Sequence, residues 1–141
     1  MSGEARQFAV NVEAQAMREA RAAVERFAAE HGLPMPRVEE LGLAVSEAMF
    51  NAMDHGSLVT GAIQMECRCR NGAVEVSVET GCRHEERTDL EEQIHAPLPS
   101  KPPDIDLERG RGLYLIRVRT DRVFIEEVAG SSLRLVLVKQ L

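Results

Sequence analysis

The stretch ELGLAVSEAMFNAMDHG, residues 40–56, decides the fold because it places two different stripes on one predicted helix. Residues three or four positions apart share a face of a helix. The aliphatic stripe consists of Leu41, Val45, Ala48 and Ala52. The polar stripe consists of Glu47, Asn51, Asp54 and His55. The helix can therefore bury one face in a core while the other lines a cleft with a carboxylate and a carboxamide.

A second stretch, GRGLYLI at residues 110–116, places two glycines immediately before an apolar run with helical character. Backbone N–H groups at a helix start, together with the helix dipole, form a favourable site for phosphate. The two stretches together suggest a nucleotide site.

Length and composition limit the alternatives. A chain of 141 residues with 44% hydrophobic residues encloses one ordinary core, so we expect a single domain over residues 1–141. The net charge of -6 argues against direct binding of nucleic acid. No apolar run is long enough for a signal peptide or a membrane span, which predicts a cytoplasmic protein without membrane contact.

The order of elements predicts strands and helices in alternation. The predicted helices cover residues 13–31, a segment that ends at Gly56, and residues 112–120. The predicted strands cover residues 6–10, 63–69, 74–78, 123–127 and 133–139, with a type I′ turn at Asn71-Gly72.

The segment from Gly81 to Arg109 shows no periodicity and carries four of the six prolines. This composition predicts a long mobile loop rather than a packed element. Loops of this length usually serve a function.

The polar stripe has the residue types that nucleotide chemistry requires. Magnesium that accompanies ATP keeps several waters and takes one or two oxygen side chains from the protein, and Asn51 can provide one. Glu47, one turn earlier, can orient or deprotonate an attacking hydroxyl or water near the terminal phosphate. The alternative is that both side chains simply face solvent from an amphipathic helix.

Two motifs of the sequence resemble those of a known family. SEAMFNAMDHG, residues 46–56, resembles the N-box of the GHKL ATPases, and GRGLYLIRVRTDRV, residues 110–123, resembles their glycine box. The similarity is to the small anti-sigma-factor serine kinases of the RsbW and SpoIIAB type. It implies an α+β fold of the Bergerat type, a two-layer sandwich in which helices cover one face of a mixed, mostly antiparallel sheet.

The resemblance also implies a function. Members bind a sigma factor or another response regulator and phosphorylate a serine or threonine of a STAS-type anti-sigma-factor antagonist. By resemblance, ATP and magnesium would be the ligands, Glu47 the general base and Asn51 the magnesium ligand. The phosphates would lie at Gly110, Gly112 and Leu113, and residues 81–109 would form the ATP lid. Related kinases often form dimers, so a homodimer is a further expectation.

The sequence departs from the family at the end of the predicted hairpin. Related proteins carry Asp-x-Gly-x-Gly there, with the Asp bound to adenine, whereas this chain has Glu79-Thr80-Gly81-Cys82-Arg83. Strict alternation also places Glu79 on the face opposite Val78, away from the helices, unless a bulge intervenes. Either Glu79 and Gly81 contact the base, or Glu79 is a solvated strand carboxylate and adenine binding is weakened.

Three further residues are candidates for the nucleotide site. Arg109 and Arg111 flank Gly110 and can neutralise phosphate charge, although we expect at most one of them to point inward. His55 can contact the phosphate region, or it can cap the helix C-terminus.

Two other functions stay open. The chain can be a binding module that has kept the fold and lost ATP turnover, which Glu79 and Arg83 favour. It can also be the ATPase domain of a sensor histidine kinase, although no phosphoacceptor helix is visible in the sequence.

Overall fold

The computed structural model describes residues 4–54, 62–81, 84–101, 108–128 and 132–141. Nine elements follow one another along the chain. The five strands are β1 (Ala5–Asn11), β2 (Ala62–Arg70), β3 (Ala73–Gly81), β4 (Arg122–Glu127) and β5 (Ser132–Gln140). The four helices are α1 (Ala14–Glu30), α2 (Met35–Asp54), α3 (His84–His95) and α4 (Glu108–Arg119).

The five strands form one open sheet in the order β1-β2-β3-β5-β4. All four strand pairings between described residues are antiparallel, where a mixed and mostly antiparallel sheet was expected. The helices pack on one face of this sheet and form the main core with it. The α+β class and the two-layer arrangement predicted above are therefore confirmed.

The hairpin of β2 and β3 forms as predicted. Asn71 has φ of 55° and Gly72 has φ of 73°, the pair of left-handed residues that a type I′ turn requires. The turn fixes the register in which Cys67 lies opposite Val76. Alternation then sends Val74, Val76 and Val78 into the core, where each is at most 1% exposed.

The core lies between the sheet and two long helices. The buried residues of α1 include Phe27, which has no exposed surface. The full set is Met17, Ala20, Val24, Phe27 and Ala28. In α2, Leu41, Val45 and Ala52 are at most 1% exposed. Burial of such a stripe, rather than helix propensity, provides most of a helix's stability in a protein.

The prediction of a structureless loop over residues 81–109 is wrong for its first half, because α3 lies within it. All four prolines of the segment, from Pro97 to Pro103, follow the helix, and the helix itself is rich in Glu, Arg, Leu and Gln, which favour helices. Among the side chains of α3 that the structure describes, Leu90 and Ile94 pack against the core. They form one apolar row without a clear amphipathic pattern.

The C-terminal end of α4 is tied to α2 and β5. The Lys139 ammonium of β5 is 5% exposed, donates to the Arg119 carbonyl at 2.6 Å and lies 3.3 Å from the Glu40 carboxylate of α2. Arg37 of α2 pairs with Asp121, just beyond α4, at 2.8 Å. These contacts fix the C-terminal end of α4 relative to α2.

Within the described residues, no helix combines the length and the apolar character needed to cross a membrane.

Candidate functional site

The C-terminal half of α2 holds both polar residues that the sequence singled out. Glu47 and Asn51 lie one turn apart and are both partly exposed, whereas Ala48 and Ala52 beside them are at most 2% exposed. The aliphatic stripe therefore packs into the core, and Glu47 and Asn51 of the polar stripe are partly exposed. The structure does not describe the Asp54 side chain.

Asn51 lies directly against Gly112 of α4. A Cβ atom at position 112 would be 3.0 Å from the Asn51 Oδ1 atom and 3.4 Å from its Nδ2 atom. A contact at 3.0 Å is tighter than nine in ten real Cβ contacts, so a side chain at position 112 would displace the Asn51 carboxamide by a few tenths of an ångström. Gly112 is buried, as is Leu113 beside it. Two residues that are 61 positions apart in the chain thus form one small polar pocket wall.

The glycines lie inside the first turns of α4 rather than before it, because the helix begins at Glu108. The N–H groups of residues 108–110, at the start of α4, have no acceptor within the helix. Gly112, the fifth residue, contributes clearance for Asn51 rather than a free N–H group.

Glu47 opens onto a groove on the outer side of the helical layer. The groove has a volume of about 650 Å³ and is bounded by the start of α1, by α2 and by α4. Its lining residues include Met17, Arg18, Arg21, Leu43, Glu47, Phe50, Met53, Leu115 and Arg119. Within the described part of the chain, the Glu47 carboxylate has no ion pair or hydrogen bond, so its oxygen atoms are available to accept a proton.

Glu79 does not join this group. The ladder between β3 and β5 runs from Ala73 to Gly81 without a bulge, so Glu79 shares the outer face of the sheet with Ser77 and lies opposite Arg134. Val78, its neighbour, is 1% exposed in the core. Glu79 therefore lies on the face of the sheet that alternation predicted. Its carboxylate is on the side away from Asn51 and Gly112.

The other predicted site residues are described in part or not at all. Gly81 ends β3 opposite Ser132. Arg109, Gly110 and Arg111 belong to the first turn of α4, but the structure does not describe their side-chain positions. His55, like Arg83 of the departing motif, lies outside the described residues.

The helix α3, within the proposed lid, is attached to the body at both ends. Arg87 near its start forms an ion pair with Glu127 of β4. At its end, the Arg117 guanidinium of α4 donates to the Gln93 carbonyl at 2.8 Å and to the Ala96 carbonyl at 2.6 Å. Arg117 thereby satisfies backbone acceptors that the end of a helix leaves free.

The three arginines of the groove were not among the predicted site residues. Arg18 and Arg21 are three positions apart on α1 and border its buried stripe at Met17, which is a signal visible in the sequence. Arg119 comes from a different helix, and only the packing of α4 beside α2 brings it to the same groove.

Comparison with known proteins agrees with this architecture. The sequence profile of the histidine kinase-like ATPase domain matches residues 10–137. A structure of the SiaB–SiaC complex from Pseudomonas aeruginosa superposes with a TM-score of 0.70 at 14% identity, over 94% of this chain and 88% of that chain. No match is found among curated protein sequences.

A second solved structure contains the RsbU and RsbW domains of Rv1364c from Mycobacterium tuberculosis. It superposes with a TM-score of 0.66 at 18% identity and covers 98% of this chain but 32% of that longer one. At these identities the similarity concerns the fold, and it confirms the expected Bergerat-type arrangement.

Proposed function

Because the chain belongs to the histidine kinase-like ATPase domain family, we propose that it binds ATP with magnesium and acts as a serine/threonine protein kinase. The proposed substrate is a STAS-type anti-sigma-factor antagonist, and the proposed second partner is a sigma factor or another response regulator, so that phosphorylation switches partners. A homodimer in the cytoplasm is part of the same proposal.

The close approach of Asn51 to Gly112 carries this proposal. A Cβ atom at Gly112 would lie 3.0 Å from the Asn51 Oδ1 atom, so the carboxamide keeps its position only while residue 112 is a glycine. The described residues contain no group of three His, Cys, Asp or Glu side chains that could hold a metal by themselves. A magnesium ion there would fit one amide oxygen from Asn51 with the rest of its shell from phosphate and water, as is usual for this ion.

The proposed phosphoryl transfer follows from the positions of Glu47 and Asn51 on α2. Asn51 would hold the metal, and the free N–H groups of residues 108–110 would receive phosphate oxygens. Glu47 would take the proton of the acceptor hydroxyl while that oxygen bonds to the terminal phosphorus and the bond to the ADP oxygen breaks. Bound magnesium would offset the negative charge of the phosphates.

The test of the catalytic role is Glu47→Gln, which keeps the shape of the side chain and removes the base. The variant should bind Mg-ATP like the wild type, yet phosphorylate a purified STAS-type antagonist more slowly by roughly 10²- to 10⁴-fold. Glu39→Gln, an exposed acid on the same helix outside the groove, serves as the matched control. Full transfer by Glu47→Gln would remove Glu47 from the mechanism.

A second candidate is supported by the position of Glu79. With this carboxylate on the outer face of the sheet, the acid that related proteins use for adenine is missing from the helical side. The chain would then be a binding module that has kept the fold without ATP turnover. Such a protein would show neither heat of binding nor a thermal shift with Mg-ATP.

A further inference from the structure

The groove beside Glu47 has an apolar floor and two exposed apolar side chains. Leu43 and Phe50 lie one turn before and one turn after Glu47, and they are 39% and 49% exposed. Exposed apolar residues grouped around a concave surface mark sites that bind another molecule. The central residue of this groove is the proposed base, so a molecule bound there would meet the Glu47 carboxylate.

The floor is suited to side chains of variable shape. Met17, Met49 and Met53 line it from α1 and α2. Methionine is unbranched and polarizable, and methionine-rich surfaces adapt to different apolar partners. From Leu43 to Met53 the groove follows α2 for ~15 Å, which matches about three turns of a bound helix or a shorter extended segment.

More arginines than acids line the groove, although the chain as a whole carries a net charge of -6. The arginines are Arg18, Arg21 and Arg119, and the acids are Glu13 and Glu47. Arg21 lies 3.6 Å from Glu25, and Arg18 donates to Gln15 at 2.8 Å. Neither Arg18 nor Arg119 forms an ion pair within the residues that the structure describes. Among the described residues these two cations have no partner carboxylate, which favours a ligand that brings its own acids to Arg18 and Arg119.

We propose that this groove docks the phosphoacceptor segment of the protein substrate, and that the segment is amphipathic and acidic. Its serine or threonine hydroxyl would lie at Glu47, its apolar side chains on Leu43 and Phe50, and its carboxylates at Arg18 and Arg119. The role of the hydroxyl as phosphate acceptor rests on the proposed kinase function. The docking surface itself depends on the shape and charge of the groove alone.

The experiment measures binding without nucleotide. The purified protein is immobilised and incubated with a library of ~12-residue peptides that carry a fixed central serine, a length that matches the groove. Bound peptides should be enriched in Asp and Glu together with Leu, Met or Phe. The double variant Arg18→Glu/Arg119→Glu should weaken binding of the selected acidic peptides by at least ~10-fold. Arg26→Glu, an exposed arginine of α1 outside the groove, should not.

A second variant tests the apolar part. Phe50→Ser removes an exposed ring, so the fold should persist, as circular dichroism can verify, while binding of the selected peptides falls. Absence of enrichment would overturn the proposal, and so would unchanged selection by the double variant. If sedimentation shows a wild-type dimer that Phe50→Ser converts to a monomer, the groove holds a second copy of this chain and the proposal is wrong.

The two proposals fail separately. If the protein does not bind Mg-ATP but still selects acidic amphipathic peptides through the groove, the kinase function is lost and the docking surface remains. If the protein binds Mg-ATP but does not select the peptides, the docking surface is wrong and the proposed kinase function remains.

Discussion

Asn51 and Gly112 are so close that the glycine has no room for a methyl group without displacing the carboxamide. The group that would have to move is the end of a flexible side chain rather than backbone. A substitution at this position therefore tests the site more than the fold.

We predict that Gly112→Ala keeps or raises the free energy of unfolding, by up to about 1 kcal/mol, because alanine favours a helix interior more than glycine does. Mg-ATP should nevertheless protect this variant from heat much less than it protects the wild type, because the Asn51 amide is displaced. Thermal unfolding with and without Mg-ATP measures both effects.

Gly42→Ala is the matched control. A Cβ atom at Gly42, in the same helix as Asn51, would collide with the flexible Glu25 carboxylate and not with the site. Its thermal shift with Mg-ATP should equal that of the wild type. A normal shift in Gly112→Ala would show that the Asn51 position is not needed for nucleotide.

For single residues, the sequence predicted the direction of a side chain within its element better than its contacts with other elements. The spacing of Glu47 and Asn51 follows from helix geometry, and the direction of Glu79 follows from strand alternation. The approach of Gly112 to Asn51 and the position of Arg119 depend on how α4 packs on α2, which no local pattern encodes.

Among the elements, α3 depends on few contacts. Leu90 and Ile94 provide its apolar contacts with the core, and Arg117 holds its C-terminal end through the Gln93 and Ala96 carbonyls. A short helix with so little buried surface has a low free energy of local opening.

We predict that Arg117→Ala loosens α3 without unfolding the sheet. Amide hydrogen exchange of residues 84–96 should accelerate by ~10-fold, because two acceptors lose their donor, while β3 and β5 exchange as in the wild type. Arg26→Ala, on the exposed side of α1, provides the control. Unchanged exchange in α3 would show that the guanidinium does not anchor it.

The same helix shows where sequence analysis fails at the level of elements. Its two core contacts are too few to produce a periodic signal, and the prolines that follow it dominate the composition of the whole segment. The hairpin was predictable because two independent signals indicate it. Asn71-Gly72 favours a type I′ turn, and the alternation on both sides of it predicts two paired strands.

For the whole molecule, the buried Cys67 thiol links stability to alkaline pH. Burial raises the pKa of Cys67 from 9.0 to about 12 in the folded protein. The unfolded chain therefore releases this proton at lower pH than the folded protein does. The contribution of Cys67 to stability is fully present below pH 9.0 and is lost as pH rises toward 12.

We predict that the free energy of unfolding of the wild type falls more steeply between pH 9 and pH 11 than that of Cys67→Ala. The difference in slope should approach about 1.4 kcal/mol per pH unit, the value for one proton. Urea unfolding at a series of pH values measures both slopes. Parallel curves for the two proteins would contradict the assignment.

The architecture as a whole follows from the packing of α1, α2 and α4 on one face of an antiparallel sheet, and this packing creates both the pocket wall and the groove. A crystal structure with a non-hydrolysable ATP analogue and magnesium tests the central claim most directly. It should show the phosphates between Asn51 and the first turn of α4, with the metal on the Asn51 oxygen. Phosphates bound elsewhere, or no analogue at saturating concentration, would contradict it.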